Sequence, residues 1–579
     1  MNFPFVRTIK AWLMLVAMLF VGNCYGDTGP VENNPVLSNV SLDQVKKTNC
    51  CDSFKLPKQL SKNLEVTPIV RAVFANLPTL CQKSLQICEK IYPEMTSLFS
   101  LAMTGFLGGV QCPGVDDKAP FFVAGFLHNG KMEMVSLFKA QPTSPLMKNL
   151  MANKQETQIV KKISISNKKS TDWYLLGNKD LVEKIAGCLR KSFPEIYEDD
   201  NGLKQPMTLE FNCAAIKEIV DFNVHCPIVN FLLNLLVVPN FENIALGVDI
   251  ENNDIVLKTS VEAKNAGPLA FYLRSVKSKL NQMRIIKWDS QEAISDVGYY
   301  DFKASRALFE EIINNIYSDT SKDEAIVQLR NASKIIHSLL RKLLDFLGKN
   351  LTGSFQGYAD FQGEGGRFST KGFGFFEKTP LLTAELLTAF LKDFAQEINK
   401  AKKTFVEKKL CFYELLNVVS CEFKPSILQH NDCVIDKFYW KVAEKEGYGL
   451  LYFTVCKNYL LYSDDIENLK RLIDRMKAIN VFTYVAKCDW QEKIEIRLSN
   501  LFSLWGVNLN SADTIRMEHA INLPTNTFSI TTRLPLGALS QLLKSFSNTM
   551  LPSKEGGAIK VEDKEKGSKN SEQGNKVSE

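Results

Sequence analysis

Histidine and cysteine are the side chains in this sequence best suited to metal or thiolate chemistry. Five histidines occur in the whole chain, His128, His225, His337, His430 and His519, against fourteen cysteines. His430, Asp432 and Cys433 stand within four positions of one another, with Cys421 twelve residues before Cys433. An imidazole, a carboxylate and thiols together are the donors a metal ion takes, or the set that activates a thiolate. The segment reads as a loop before a strand, where a His and a Cys serve more often as surface or disulfide residues. His225 and Cys226 form a second such pair, but Pro227 and the apolar run Ile228 to Val238 follow directly and point to burial.

The local patterns of familiar chemistries are missing from the sequence. It contains no HExxH, no paired CxxC knuckles, no GxSxG elbow, no Walker loop and no dinucleotide fingerprint. Asp249, Glu251 and Asp254 imitate a calcium loop, yet Asp254 takes the central glycine position and Ser260 the place of the bidentate glutamate. Gly363, Gly365 and Gly366 fall in a hairpin turn between two strands, not between a strand and a helix. No catalytic residue, metal ligand or cofactor is assigned. A hydrolase assembled from residues distant in sequence stays open, because triads are recognised by geometry and not by order.

The cysteines fit an oxidising compartment. Removing Cys24 with a leader leaves an odd number, so at least one thiol has no intrachain partner. The near neighbours Cys81 with Cys88, Cys411 with Cys421, and Cys421 with Cys433 are the candidate bridges by spacing.

An oxidising address is what the first 26 residues predict. Arg7 and Lys10 precede the twelve-residue apolar core Ala11 to Gly22, and the small residues Cys24 and Gly26 place a peptidase cut between Gly26 and Asp27. The core is shorter than the roughly 17 to 25 residues that cross a bilayer. Phe20 to Asn23 before Cys24 loosely resembles a bacterial lipidation site, a minority reading because Asn23 fits that site poorly. The mature protein is thus expected in the periplasm, at the cell surface or outside the cell.

The net charge of +6 is spread along the chain without a basic face, which argues against nucleic acid as a partner. Length implies two cores, since single cores stop growing at about 250 to 300 residues. Residues 27–67 read as an irregular leader, and 551–579, rich in Lys, Glu, Gly and Ser, as a disordered charged tail. Asn39, Asn331 and Asn350 head sequons that would accept glycans in a eukaryotic secretory pathway.

Between leader and tail the pattern predicts an α+β fold. Val70 to Ile91 and Glu94 to Leu107 read as helices stopped by Gly108 and Gly109, then Phe121 to Leu127 and Met132 to Phe138 as strands joined at Asn129-Gly130. Asn331 to Leu347 carries an apolar stripe that packs on its own sheet or docks on lipid or a protein partner. Trp173-Tyr174-Leu175-Leu176 leading to Asp180 resembles Asn458-Tyr459-Leu460-Leu461 leading to Asp465. Hairpins at 247–261 and 357–376, each followed by a Pro that opens a helix, look like a second matched pair.

The expectation is two related halves, 68–290 and 291–550, each an antiparallel sheet of hairpins with helices packed on one face. The function expected of them is a non-catalytic binding or structural scaffold. A carrier of lipid or another apolar ligand is the first alternative, and the hydrolase is the second.

Overall fold

The computed structural model describes residues 67–541 apart from internal stretches, the longest being 194–206, 216–239 and 504–512. Cys24, Gly26 and Asp27, most of the leader, Asn39, His225, Cys226, the run 228–238, Gly365, Gly366, Cys411 and the charged tail lie outside the described residues.

The fold is α+β with antiparallel pairing. The first strands are β1 (Val70–Phe74), β2 (Phe121–His128), β3 (Lys131–Lys139), β4 (Gln158–Ile163), β5 (Trp173–Asn178), β6 (Met207–Asn212), β7 (Phe241–Glu251) and β8 (Asp254–Ala263). After β9 (Arg284–Ile286) come β10 (Ile294–Tyr299), β11 (Leu351–Glu364), β12 (Arg367–Lys378), β13 (Val419–His430), β14 (Cys433–Val442), β15 (Lys445–Cys456) and β16 (Tyr459–Ser463). The last are β17 (Thr483–Val485), β18 (Trp490–Arg497), β19 (Thr514–Asn522) and β20 (Thr527–Pro535).

Eighteen of these strands form one sheet, and β9 with β17 forms a small second one. The sheet runs β4-β5-β3-β2-β1-β6-β7-β8 and continues, through β8 against β20, as β20-β19-β18-β10-β11-β12-β16-β15-β14-β13. The expected separate sheets are therefore continuous. A single row of opposed residues starts at Leu175 and passes through Leu137, Phe122, Val73, Thr208, Gly247 and Lys258. It crosses to Thr531 and goes on through Glu518, Lys493, Val297, Gln356 and Phe375 to Leu461. Lys258↔Thr531 is the middle pair of the β8–β20 ladder.

At its two ends helices cover both faces of this sheet, which corrects the expectation of one covered face. Neighbouring residues on one strand point to opposite sides, and at these ends both sides are apolar. Helix α1 (Leu77–Ile91), helix α2 (Thr96–Leu107) and helix α3 (Pro145–Ala152) pack with Phe138 and Tyr174. On the opposite face Leu137 and Leu175 meet helix α4 (Lys179–Gly187) through Leu181, Val182 and Ile185. The far end of the sheet is built alike: Phe376 and Leu460 share a core with Leu344 and Leu347 of helix α8 (Glu324–Asn350) and Leu387 and Leu391 of helix α9 (Ala384–Glu407). Phe375 and Leu461 face Leu469, Leu472 and Ile473 of helix α10 (Ile466–Ala478). Strands buried on both faces read as continuous apolar runs, not alternating ones.

Local chemistry sets the boundaries. Val70–Phe74, expected as helix, is a strand flanked by β2 and β6, because its β-branched residues sit between two partners. Gly108, at φ 80°, ends α2 with its N–H on the Thr104 carbonyl while the Gly109 N–H reaches Met103. Helix α6 (Pro268–Leu280) opens on its proline as expected. The helix after Pro380 instead begins at Ala384, capped by the Thr383 hydroxyl accepting from the Leu386 N–H. The hairpins at 247–261 and 357–376 take different places: β7–β8 lies beside β20, whereas β11–β12 lies between β10 and β16.

Candidate interaction surface and buried ionisable groups

The chemically suggestive residues of the 421–433 segment are dispersed by the β13–β14 hairpin. Its turn, Asn431-Asp432, has both residues at positive φ. His430 Nε2 lies 2.6 Å from Asp474 Oδ1 on α10, and Asn431 Nδ2 donates to the same carboxylate. Lys477 reaches the Asn431 carbonyl and stands 3.4 Å from Asp432. The cluster thus clamps a hairpin tip to a helix. Cys433 is buried behind it opposite His430, while Cys421 pairs opposite Trp440 at the other end of the hairpin. Among the described residues no group of three or more His, Cys, Asp or Glu side chains could hold a metal.

Other buried ionisable groups also tie elements together. Asp301 caps helix α7 (Phe302–Ser318) by accepting from the Ala304 N–H, and its other oxygen accepts from Ser275 and Lys279 of α6. Burial pushes this carboxyl up, but those donors hold it below the usual carboxylate range. Glu492 and His519, opposed on β18 and β19, meet at 2.7 Å with little exposure. Gln356 takes the Ile286 N–H and gives its amide to the Ile286 carbonyl and Tyr358, which holds β9 against β11. Asp249, the first residue of the imitated calcium loop, pairs with Lys83 on α1.

Asp464 and Asp465 split in opposite directions at the start of α10. Burial raises Asp464 to about 6, against the Gly372 N–H that it accepts at 2.9 Å. Asp465 is also pushed up by burial, but the Asn468 and Glu467 N–H groups and Lys371 bring it below its ordinary value. The corresponding turn after β5 uses a neutral cap, Asn178, accepting from Asp180 and Leu181.

Neither Cys81 with Cys88 nor Cys421 with Cys433 comes together as spacing predicted, and Cys411 with Cys421 falls outside the described residues. Cys81 and Cys88 are both on α1, and seven helical residues rise about 10.5 Å, beyond disulfide reach. Instead Cys81 Sγ lies 3.7 Å from Cys112 Sγ, and the Cys433 thiol is hydrogen-bonded to Cys456. Cys421 is buried, and burial pushes its thiol up.

Among the described residues, α2 groups several exposed apolar side chains. Its sequence, TSLFSLAMTGFL, carries no charge, and Leu98, Leu101 and Phe106 remain open to solvent with Met95 just before it. Leu101 is 68% exposed. Met151 on α3 is exposed too, and Asn149 of that helix donates to the Gly105 and Phe106 carbonyls. Sequence reasoning missed this surface, since an uncharged helix reads as core. The available signal was the absence of any charged residue on α2. The stripe on α8, offered as a docking face, is instead partly covered: Leu340, Leu344 and Leu347 are buried, and Lys342 and Arg341 pair with Asp393 and Glu310. Among the described residues no helix is long and apolar enough to cross a membrane.

No family model matches the chain, and no curated protein matches it. A solved structure described as "Structure of crystal form IV of TP0453" is similar to 36% of this chain over 81% of its own, at 10% identity and a TM-score of 0.19. A likeness at that level carries no argument about fold or function.

Proposed function

We propose that the chain is an exported, non-catalytic binding or structural scaffold built from two related halves joined edge to edge. The observation that supports it is how its charged groups are used. Asp301, Asp249, Glu492 with His519, and His430 with Asp474 each tie one element to another and do not converge on a cavity. A screen of the purified chain against ester, glycoside, phosphate and peptide substrates should give no turnover above blank. Saturable turnover abolished by one substitution would contradict the reading. Export is tested separately by mass spectrometry of the mature N-terminus, expected at Asp27 without an acyl mass. Recovery with Met1 attached would contradict it.

The relation between the halves rests on connectivity. Read inward from either end of the shared row, β5-β3-β2-β1-β6-β7-β8 mirrors β16-β12-β11-β10-β18-β19-β20. A helix pair follows β1 and β10, and a helix directly follows β5 and β16, with a further four-residue helix, Leu189–Ser192, after the first of these. The row meets its mirror at Lys258↔Thr531, where a two-fold axis would pass. Two backbone bonds agree: Asn212 N–H to the Ile69 carbonyl and Arg497 N–H to the Ala293 carbonyl occupy the same place in each half.

This relation shifts the sequence correspondence by one residue. Leu175 faces the following helix, as Leu461 does and Leu460 does not. A one-residue slip exchanges the faces of a strand, so Leu175 matches Leu461. Hairpin β11–β12 likewise corresponds to β2–β3, and β7–β8 to β19–β20.

A second reading has its own support in the exposed apolar residues of α2: contact with a lipid surface. The full chain mixed with anionic phosphatidylglycerol vesicles should float with them. Leu98→Asp with Leu101→Asp should remove flotation without lowering folding stability. Flotation unchanged by this double variant would contradict contact through α2.

A further inference from the structure

Cys81, Cys112, Cys433 and Cys456 fall into two thiol pairs in separate cores. Cys81 lies on α1 and Cys112 in the turn after α2, where its backbone takes φ 46°. Their sulfurs are 3.7 Å apart, enclosed by Leu107, Phe138 and Met147, with Met103 Sδ also 3.7 Å from Cys81. The second pair spans neighbouring strands. The register Asp436↔Phe453, extended by three residues, sets Cys433 opposite Cys456, and the Thr454 hydroxyl bond to the Val434 carbonyl holds that alignment. Directly opposed antiparallel residues have Cα atoms about 4.5 to 5.5 Å apart, inside the window of roughly 4.4 to 6.8 Å that a disulfide needs.

We propose that Cys81–Cys112 and Cys433–Cys456 are disulfide-forming pairs, one in each half. In each, two S–H bonds break and one S–S bond forms. The two electrons and two protons pass to an external disulfide oxidant, which leaves as two thiols. The two thiols of the second pair are held in unlike electrostatic settings. Cys456 donates to the Cys433 sulfur, lowering that thiol to about 7 against the opposing effect of burial, and Lys477 adds to the lowering. Cys456 is itself raised, by the same bond first and burial second. In the first pair Cys81 is lowered and Cys112 raised for the same reason. All four are nearly fully buried, so the bonds form while the chain is folding.

The pairing is a property of the fold and does not depend on the export reading. It is tested on the full chain refolded in a glutathione redox buffer, alkylated, digested without reductant and mapped by mass spectrometry. The expected map has Cys81 linked to Cys112 and Cys433 linked to Cys456, with Cys88, Cys188, Cys213 and Cys421 alkylated. A folded protein with alkyl label on all four paired cysteines, or with Cys81 or Cys433 linked elsewhere, overturns the assignment. Cys112→Ser with Cys456→Ser should abolish both cross-links and leave Cys81 and Cys433 alkylated. If that variant does not fold, the map of the unaltered chain still decides.

Discussion

Helices α2 and α8 occupy the same station in the strand order, each returning the chain to the sheet after a first helix, yet they meet solvent in opposite ways. Helix α8 hides Leu340, Leu344 and Leu347 beneath neighbouring elements and turns outward Arg341 and Lys342, which pair with Glu310 and Asp393. Helix α2 has no charge to turn outward and exposes Leu98, Leu101 and Phe106. Burial of an apolar side chain contributes about 1.5 to 3 kcal/mol, so α8 gains from its stripe what α2 leaves unused. That open apolar surface is the feature on which the proposed lipid contact of α2 rests.

The sharpest way to break this comparison is to truncate matched leucines. Leu347→Ala opens a cavity in the core shared with Phe302, Phe355 and Phe376, and should cost about 2 to 5 kcal/mol in urea unfolding. Leu101→Ala should change stability by less than about 0.5 kcal/mol. Equal losses at the two sites would erase the distinction.

The turns that start α4 and α10 sharpen the comparison next. Asp464 is raised from its ordinary value of 3.8 to about 6 by burial, so between those pH values the folded chain holds a proton that the unfolded chain has released. Stability contributed at low pH is then lost as pH climbs through that window, by on the order of 3 kcal/mol. Asp464→Asn keeps the acceptor for the Gly372 N–H and should be more stable than the parent at pH 7, with the gap closing below the ordinary carboxylate range. Greater stability of the parent at pH 7 would contradict the burial argument. The caps themselves should be worth less: Asn178→Ala and Asp465→Ala should each cost about 1 kcal/mol in thermal or urea unfolding. The smallest expected effect on folding is Leu98→Asp with Leu101→Asp, whose consequence is read instead in vesicle flotation.

What the sequence disclosed was local. The Asn129-Gly130 cue placed a hairpin whose flanking residues His128 and Lys131 do pair, and Gly108, Pro268 and the α8 stripe marked real helix features. Long-range partners left no such trace. The β8–β20 ladder joins residues more than 260 positions apart, and nothing in either strand names the other. Apolar runs such as Leu175-Leu176 and Leu460-Leu461 resembled each other but could not fix the register, because both of their faces are buried. Only the helices on either side distinguish one leucine from the next. The thiol pairs were missed similarly, since Cys81 meets Cys112 across a helix pair and Cys433 meets Cys456 across a strand pair, not along the sequence.

The join between β8 and β20 carries the account of a doubled sheet, and a cross-link tests it most directly. Cysteines placed as Lys258→Cys with Thr531→Cys, at the middle pair of the ladder, should link under mild oxidation in the folded full chain and be found joined on peptide mapping. The shifted combination Lys258→Cys with Ile530→Cys should remain unlinked, because the two side chains then point to opposite faces. Linking of the shifted pair alone, or of neither, would contradict the continuous sheet and the two-fold relation built on it.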